Sequence, residues 1–367
     1  METLISVFRE VRDPRDFNAR HEVGTILFLS LAAMLCGAKS CVEIAEFVEA
    51  NEEELSTIVD LPHGPPSHDT FSRLFRLLDP AELAQAFTRF MTELRRALGL
   101  AAPRGVVAID GKSLRRGYEK GCAFLPPLMV SVWDSETRLA IAQARAKESG
   151  GEVAATLALL RGLVLKGCTV TADALHCHPA MAEAVLAAKA HYALVLKGNN
   201  GPLHTQAERA FQAAGDDVPS FRSEDKAHGR TEWRCASVLP APSAARALLP
   251  GLKALGRIEA ERISPAGKHT SVTRYVALSR SLTPAKMLAV TRAHWSIENH
   301  LHWTLDVVFD EDDARTRKDY GPENLAVIRR WAQNILRMHP ASMSMSSKMR
   351  RAMWSKEFFY ELFTHLR

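Results

Sequence analysis

The chain has 367 residues, 47% of them hydrophobic, and a formal net charge of +5. This composition supports a packed core and excludes a disordered or low-complexity chain, and the length favours two or three domains. The uncharged apolar run at residues 23–38 is shorter than the roughly 20 residues that span a bilayer. We therefore expect a cytoplasmic protein with neither a membrane span nor a signal peptide.

Charge is distributed unevenly along the chain. Residues 1–79 hold seven Lys and Arg against fourteen Asp and Glu, whereas residues 314–367 hold eleven against four. A net positive charge favours an anionic partner, and the basic end is the better candidate for contacting a polyanion.

The six cysteines are scattered and form no CxxC pair, which is typical of a reducing compartment. Cys168, His176, Cys177 and His178 lie close together in sequence. Adjacent Cys177 and His178 are poor tetrahedral partners and no second paired cluster accompanies them, so we do not expect zinc.

Residues 1–100 are predicted to be helical. Val23–Leu35 forms a buried helix, Cys41–Glu49 an amphipathic one, and a third begins after two prolines, capped by Ser67 or Asp69. A helix, a turn and a helix favour DNA binding, but the acidic balance of this region is equally compatible with a plain helical bundle.

The middle of the chain alternates strands and helices in the order β-β-β-α-β-α-β, which indicates a mixed sheet with helices on its faces. A tight polar connection makes the second and third strands a hairpin. The predicted elements are Gly105–Asp110, Pro127–Trp133, Leu139–Ala146, helix Glu152–Leu165, Cys168–Ala172, helix Pro179–Ala190 and Tyr192–Leu196.

Three further strands predict a small β insertion at about residues 201–282, followed by a long helix from Thr283 toward Val308. The C-terminal region, 321–367, is predicted to contain helices at 325–336 and 358–366, joined by a linker around residues 343–345. The strands of the insertion are Glu232–Val238, Arg257–Ile263 and Ser271–Leu278.

Three carboxylates are predicted to converge. Asp110 ends the first strand, where we expect a turn at Gly111, and Asp173 ends the fourth, which is predicted to be its neighbour. Glu298 lies on the long helix beside a buried stripe of Ile297, Leu301 and Leu305. Such acids can hold two divalent ions for phosphoryl transfer, although an ion pair with Arg292 is the alternative for Glu298.

Lys112, Arg115 and Arg116 follow Asp110 closely and are candidates for holding the phosphates of a DNA strand. A solvated basic loop would explain them equally.

Together these stretches make the chain resemble the insertion-sequence DDE transposases, in particular the subgroup that includes the H-repeat-associated proteins. The resemblance extends over nearly the whole chain. Its motifs are Asp13-Pro-Arg-Asp, AIDGK at 108–112, TADALH at 171–176, Leu196-Lys-Gly-Asn, His228-Gly-Arg-Thr-Glu, HWSIENHLHWTLDVVFDED at 294–312 and Arg315-Thr-Arg.

The resemblance implies an RNase H-like catalytic domain over 101–320 with a β insertion, a helical N-terminal domain and C-terminal helices. It implies Asp110, Asp173 and Glu298 as catalytic residues that bind two Mg²⁺ or Mn²⁺ ions. The implied reaction nicks the ends of an insertion sequence and joins the freed 3′-OH to target DNA. The expected partners are double-stranded terminal repeats and target DNA, with the protein as a homodimer on paired ends and nucleoid-associated when it acts.

One departure concerns the helix that carries Glu298. The wider group has a Tyr-x-x-Arg…Glu…Lys pattern, whereas this chain has Thr291, His294 and Leu305 at those places. We expect Arg292 or His302 to substitute as phosphate contacts. The other DNA contacts expected beside the acids are Lys197, His228, Arg230, Arg315 and Arg317.

Several aromatic and charged residues allow two interpretations. Trp295 and Trp303 are expected in the core rather than stacked on bases, and Trp233 could do either. His176 and His178 could orient water or metal, although a solvated loop is favoured. Arg315 and Arg317 could contact DNA or pair with the acids at 310–313.

Two other functions stay open. The chain could be a transposase-derived DNA-binding protein without catalysis, which the departures around Glu298 would favour. It could also be an RNase H-like nuclease that hydrolyses DNA without strand transfer.

Overall fold

The computed structural model describes residues 2–16, 19–100, 102–118, 126–146, 151–215, 217–227, 230–263 and 269–364. Helices at both ends of the chain flank one large sheet built from its middle. Among the described helices, none has the length and apolar character that crossing a membrane requires.

The first hundred residues are helical, as predicted. The apolar run becomes a helix over the predicted residues, and because it is apolar on all sides it is buried almost completely. Each amphipathic helix buries one face, and these faces belong to the same hydrophobic core as the apolar helix. The helices are α1 (Glu2–Arg9), α2 (Val23–Leu35), α3 (Cys41–Ala50), α4 (Glu52–Leu55), α5 (His68–Leu77) and α6 (Pro80–Ala97).

Within the described residues, nine strands form one mixed sheet in the order β3-β2-β1-β4-β5-β9-β8-β7-β6. The predicted hairpin is confirmed as the antiparallel pair β2 and β3, and β1 pairs in parallel with β4. The strands are β1 (Val106–Ser113), β2 (Leu128–Asp134), β3 (Leu139–Ala146), β4 (Thr169–Ala172), β5 (His191–Leu196), β6 (Ser220–Ala227), β7 (Arg230–Pro240), β8 (Ala254–Ile263) and β9 (His269–Leu278).

The predicted turn at Gly111 is wrong. Strand β1 continues to Ser113, with Gly111 paired opposite Val130 of β2. The glycine serves a close approach instead, because a Cβ at this position would lie 2.7 Å from Oε1 of Glu152. Asp110 therefore lies within a strand rather than at its end.

The predicted β insertion is part of the main sheet rather than a separate unit. Strand β9 pairs antiparallel with β5, so the sheet runs on without a break into β8, β7 and β6. Strand β6 and helix Gly201–Ala214 in this region were not predicted. The remaining helices of the middle region are α7 (Gly151–Arg161), α8 (Pro179–Ala187), α9 (Gly201–Ala214) and α10 (Ser243–Arg246).

The long helix begins as predicted, with Thr283 Oγ1 accepting a hydrogen bond from the Lys286 N–H at 3.3 Å. It comprises α11 (Pro284–His294), a π-helical segment (Ile297–His302) and α12 (Trp303–Val307). Ile297, Leu301 and Leu305 are buried as expected. Glu298 lies in the π-helical segment, an irregularity that is frequent at functional sites.

Both ends of the chain contribute to one core. Trp331 on the long C-terminal helix contacts Phe8, Phe87 and Phe90, with ring centroids 4.7, 5.4 and 5.4 Å away. The predicted linker around Met345 is partly wrong, because Ser344 caps a helix there. The C-terminal helices are α13 (Gly321–Met338), α14 (Met345–Trp354) and α15 (Lys356–Thr364).

We expect Trp331→Ala to lower the free energy of unfolding by about 3–5 kcal/mol, because it opens a cavity where three aromatic rings meet. Trp354→Ala is the matched control, since that side chain is 75% exposed, and should change stability by less than about 0.5 kcal/mol. Urea denaturation checks both. Equal losses would contradict a core shared between the two ends.

Candidate active site

Two of the predicted acids lie side by side on neighbouring strands. In the parallel pairing of β1 and β4, Ile109 is opposite Ala172. Asp110 and Asp173 are the next residues of their respective chains, so they lie at the same level of the sheet. Asp173 also begins a tight turn at Ala174–His176, where its Oδ1 accepts a hydrogen bond from the Leu175 N–H at 3.0 Å.

Glu298 approaches the same place from the π-helical segment. Burial, followed by the negative charge of Glu298, raises the pKa of Asp110 to about 7, with smaller contributions from Asp173 and Glu152 and against a hydrogen bond from the Gly111 N–H. Glu298 is the most exposed of the three predicted acids, yet packing around its carboxyl still raises its pKa. The structure thus places Asp173 and Glu298 near enough to Asp110 for their charges to raise its pKa, and we call these three the acidic edge.

Two histidines of the Glu298 helix flank the acidic edge. His294 Nδ1 lies 3.1 Å from Thr171 Oγ1, and burial lowers the pKa of this histidine to about 4. His302 Nδ1 lies 3.5 Å from Asp110 Oδ2. Burial, followed by the charges of Arg330 and Lys112, lowers the pKa of His302 to about 3. Both rings are therefore neutral at pH 7, and His302, which we predicted as a phosphate contact, lies beside Asp110 instead.

A fourth carboxylate, Glu152, was missed by the sequence reasoning. Its Oε1 lies over Gly111 and 3.3 Å from Nε2 of His176. The favoured solvated loop is wrong for His176, which is buried. His178 caps helix α8 by accepting a hydrogen bond from the Met181 N–H at 3.3 Å. The signal that could have indicated Glu152 is the glycine directly after Asp110.

Lys112 does not lie on the surface. Its side chain is 7% exposed, and Nζ lies 2.7 Å from both Asp306 Oδ1 and Asp312 Oδ1. The prediction that Lys112 contacts DNA phosphates is therefore wrong, because its charge is neutralised inside the protein.

Four arginines lie near the end of β1; Arg115, Arg116 and Arg315 are exposed and Arg317 is half-buried. Arg115 and Arg116 pair with Asp312 at 3.2 Å and Asp313 at 2.9 Å, and Arg317 donates to the backbone carbonyl of Arg116 at 3.3 Å. Within the described residues, neither Arg315 nor Arg317 pairs with an acid at 310–313. We call Arg115, Arg116, Arg315 and Arg317 the basic rim.

The remaining predicted DNA contacts are Lys197, Arg292, Arg230 and His228. Lys197 is exposed just after β5. Arg292 pairs with Asp225 at 2.8 Å, so the ion pair with Glu298 that we considered does not form. Arg230 begins β7, but its side chain is outside the described part of the structure, as is the whole of His228.

Two tryptophans beside Glu298 are on the surface, so the prediction that they belong to the core is wrong. Trp295 is 42% exposed and Trp303 is 56% exposed. The stripe of Ile297, Leu301 and Leu305 fills the buried face, which turns both indoles away from it. The Arg274 guanidinium lies 5.6 Å from the Trp295 ring centroid, and Trp233 is also exposed.

The donor chemistry of the acidic edge suits a hard divalent cation. Its ligands would be carboxylate oxygens, which Mg²⁺ prefers, and among the described residues none of the three acids pairs with a Lys or Arg. Their mutual repulsion raises the pKa of Asp110, and a cation would relieve it. Within the described residues, no three His, Cys, Asp or Glu side chains are gathered closely enough to hold an ion as they stand.

Comparison with known proteins gives a consistent family. The family described as "Transposase DDE domain" matches residues 101–335, and the family described as "DDE_Tnp_1-associated" matches residues 5–91. Two Escherichia coli K12 proteins, "Putative protein YbfL" and "H repeat-associated putative transposase YhhI", are 31% and 30% identical, each over 96% of this chain and 95% of their own length. A solved structure of a piggyBac transposase synaptic complex with hairpin DNA is also similar. The match covers 100% of this chain and 77% of the piggyBac chain, with a TM-score of 0.44 and 12% identity.

We expect Lys112→Met to lower the free energy of unfolding by about 3 kcal/mol, because it leaves Asp306 and Asp312 without their buried cation. Arg115→Met removes a cation from the same Asp312, but this arginine is exposed, so its effect should stay below about 1 kcal/mol. Denaturant titration of both variants checks the difference. A loss for Arg115→Met as large as that for Lys112→Met would show that burial does not decide the effect.

The raised pKa of Asp110 predicts a pH-dependent stability penalty. The folded state retains the proton up to about pH 7, whereas the unfolded state loses it near pH 4, so the free energy of unfolding falls as pH rises through this window. In a chelating buffer at pH 8, Asp110→Asn should therefore be more stable than the parent by about 4 kcal/mol, and the difference should vanish near pH 4.

Thermal and urea unfolding at several pH values measure this difference. Exposed Asp60→Asn is the control and should follow the parent at every pH. A parent protein as stable as Asp110→Asn at pH 8 would contradict the raised pKa of Asp110.

Proposed function

The chain belongs to the family of DDE transposases, and from this premise we propose that it cuts DNA at the ends of an insertion sequence and joins the 3′-OH ends to target DNA. The observation that carries the proposal is the convergence of Asp110, Asp173 and Glu298 without a neutralising Lys or Arg among the described residues. We propose these three as the catalytic residues.

The sheet supports an RNase H-like catalytic domain. Its first five strands lie in the order β3-β2-β1-β4-β5, with an antiparallel half and a parallel half that meet at β1. This is the arrangement that the β-β-β-α-β-α-β order favours, and it puts two acids on its central strands.

We propose that Asp110, Asp173 and Glu298 hold two Mg²⁺ or Mn²⁺ ions. Such ions, when bound, supply activation of the attacking oxygen and charge stabilisation at the leaving oxygen. The protein's own contribution is to keep the carboxylates together on rigid elements. The low pKa values of His294 and His302 keep these flanking rings uncharged, so they do not compete with a cation for the carboxylates.

The DNA partner is proposed to lie across the surface that surrounds the acidic edge. The basic rim and Lys197 offer cations for backbone phosphates, which position DNA without reading its sequence. The exposed indoles of Trp295 and Trp303 lie on the same helix as Glu298. Terminal inverted repeats and target DNA are the proposed substrates, held by a homodimer that pairs two ends.

The test supplies the protein with DNA that carries the inverted repeats flanking its gene, together with Mg²⁺. We expect 3′-end nicks and joined products, and Asp110→Asn, Asp173→Asn and Glu298→Gln should each slow nicking about a hundredfold or more, because each removes charge stabilisation worth several kcal/mol. Asp60→Asn should retain the parent rate.

Variants that nick as fast as the parent would overturn the proposed catalytic residues. Binding of the ends without cleavage under any divalent ion would indicate a DNA-binding descendant. Hydrolysis without joining of a pre-cut 3′ end would indicate a nuclease.

A further inference from the structure

The roles proposed for Asp110, Asp173 and Glu298 do not explain the position of Glu152. It lies in the first turn of α7, after the strand β3, and its carboxylate is turned toward β1. Its Oε1 lies above Gly111, the residue next to Asp110. A surface glutamate would have no reason to approach other carboxylates, because like charges repel.

Gly111 leaves room for this carboxylate. A Cβ on residue 111 would lie 2.7 Å from Oε1 and 2.9 Å from Cδ of Glu152, which is closer than atoms can approach. The backbone of Gly111 is not in the left-handed region, so any residue could adopt its conformation. A larger residue at this position would have to displace the Glu152 carboxylate.

His176 holds Glu152 in this position. It is buried, and its Nε2 lies 3.3 Å from Oε1 of Glu152. His176 ends the short turn that Asp173 begins. The same turn therefore presents one acid of the acidic edge directly and positions a fourth through a histidine.

We propose that Glu152 is the fourth carboxylate of the site and a ligand for a divalent cation, with His176 as its positioning residue. This inference rests on the proposed function. Among the described residues, Glu152 has no Lys or Arg partner. Carboxylate ligands are commonly oriented by a hydrogen bond from a neighbouring side chain, as His176 orients Glu152.

A structural role for the pair is the competing explanation. In that case Glu152 and His176 stabilise the packing of α7 on the sheet, and their removal lowers stability without changing how ions bind. The two roles are separated by measuring ion binding on folded protein rather than activity.

The experiment counts bound Mn²⁺ by the loss of its free-ion electron paramagnetic resonance signal in the full-length protein. The parent should bind two ions. Glu152→Gln, which keeps the shape of the side chain, should lose one ion or bind it about tenfold or more weakly. Gly111→Ala retains Glu152 but pushes its carboxylate away, and should show the same loss. Glu183→Gln on the neighbouring helix α8 is the matched control, because Glu183 is exposed, and should bind as the parent does.

His176 is tested by a pair of variants. His176→Leu should weaken Mn²⁺ binding, and His176→Gln should restore most of it because a glutamine amide can still donate to Glu152. Thermal unfolding followed by circular dichroism confirms that each variant is folded before binding is compared.

The outcomes separate this inference from the proposed function. Parent-like Mn²⁺ binding by Glu152→Gln, together with lost binding by Asp110→Asn, overturns the role of Glu152 and leaves the proposed function standing. Parent-like binding by Asp110→Asn as well overturns the proposed metal site itself.

Discussion

The ion pairs of Lys112 join the strand that carries Asp110 to the helix that carries Glu298. Asp110 and Lys112 are two residues apart on β1, so their side chains point to the same face. Asp110 meets His302, and Lys112 meets Asp306, one helical turn further along. Two successive contacts of this kind fix how the helix lies along the strand. Glu298, one turn before His302, is thereby held near Asp110 even though the two carboxylates repel each other.

The same ion pairs extend inward to the C-terminal helices. Glu311 lies within 4.0 Å of Lys112 and accepts a hydrogen bond from Arg330 of α13 at 3.1 Å. Arg330 also donates to Ser131 of β2, which is paired opposite Asp110 in the sheet. Helix α13 packs through Trp331 against the N-terminal helices. The geometry at the sheet therefore depends on residues from both ends of the chain, which explains why their helices form one core.

The sequence predicted those features that depend on one segment or on neighbouring strands. The continuous apolar character of Val23–Leu35 was enough to locate that helix, and the predicted pairing of the first and fourth strands was enough to bring Asp110 and Asp173 close together. Contacts between distant segments could not be predicted in this way. Lys112 looks like a phosphate contact until Asp306 and Asp312, about two hundred residues later, are placed beside it. Gly111 looks like a turn until Glu152 is seen above it.

Two groups of acids lie near β1, and they differ in their charged partners. The acids at 310–313, with Asp306, are matched by cations of the protein: Lys39, Lys112, Arg115, Arg116 and Arg330. In the described part of the chain, none of Asp110, Asp173, Glu298 and Glu152 pairs with a Lys or Arg. Asp110 and Glu152 instead lie beside His302 and His176, and burial holds the pKa of His302 far below neutrality. A protein that places five cations along one group could have placed one beside the other. Keeping the second group unneutralised costs stability, a trade-off that is typical of active sites. An unneutralised group of acids is expected where a cation from outside the chain binds to it.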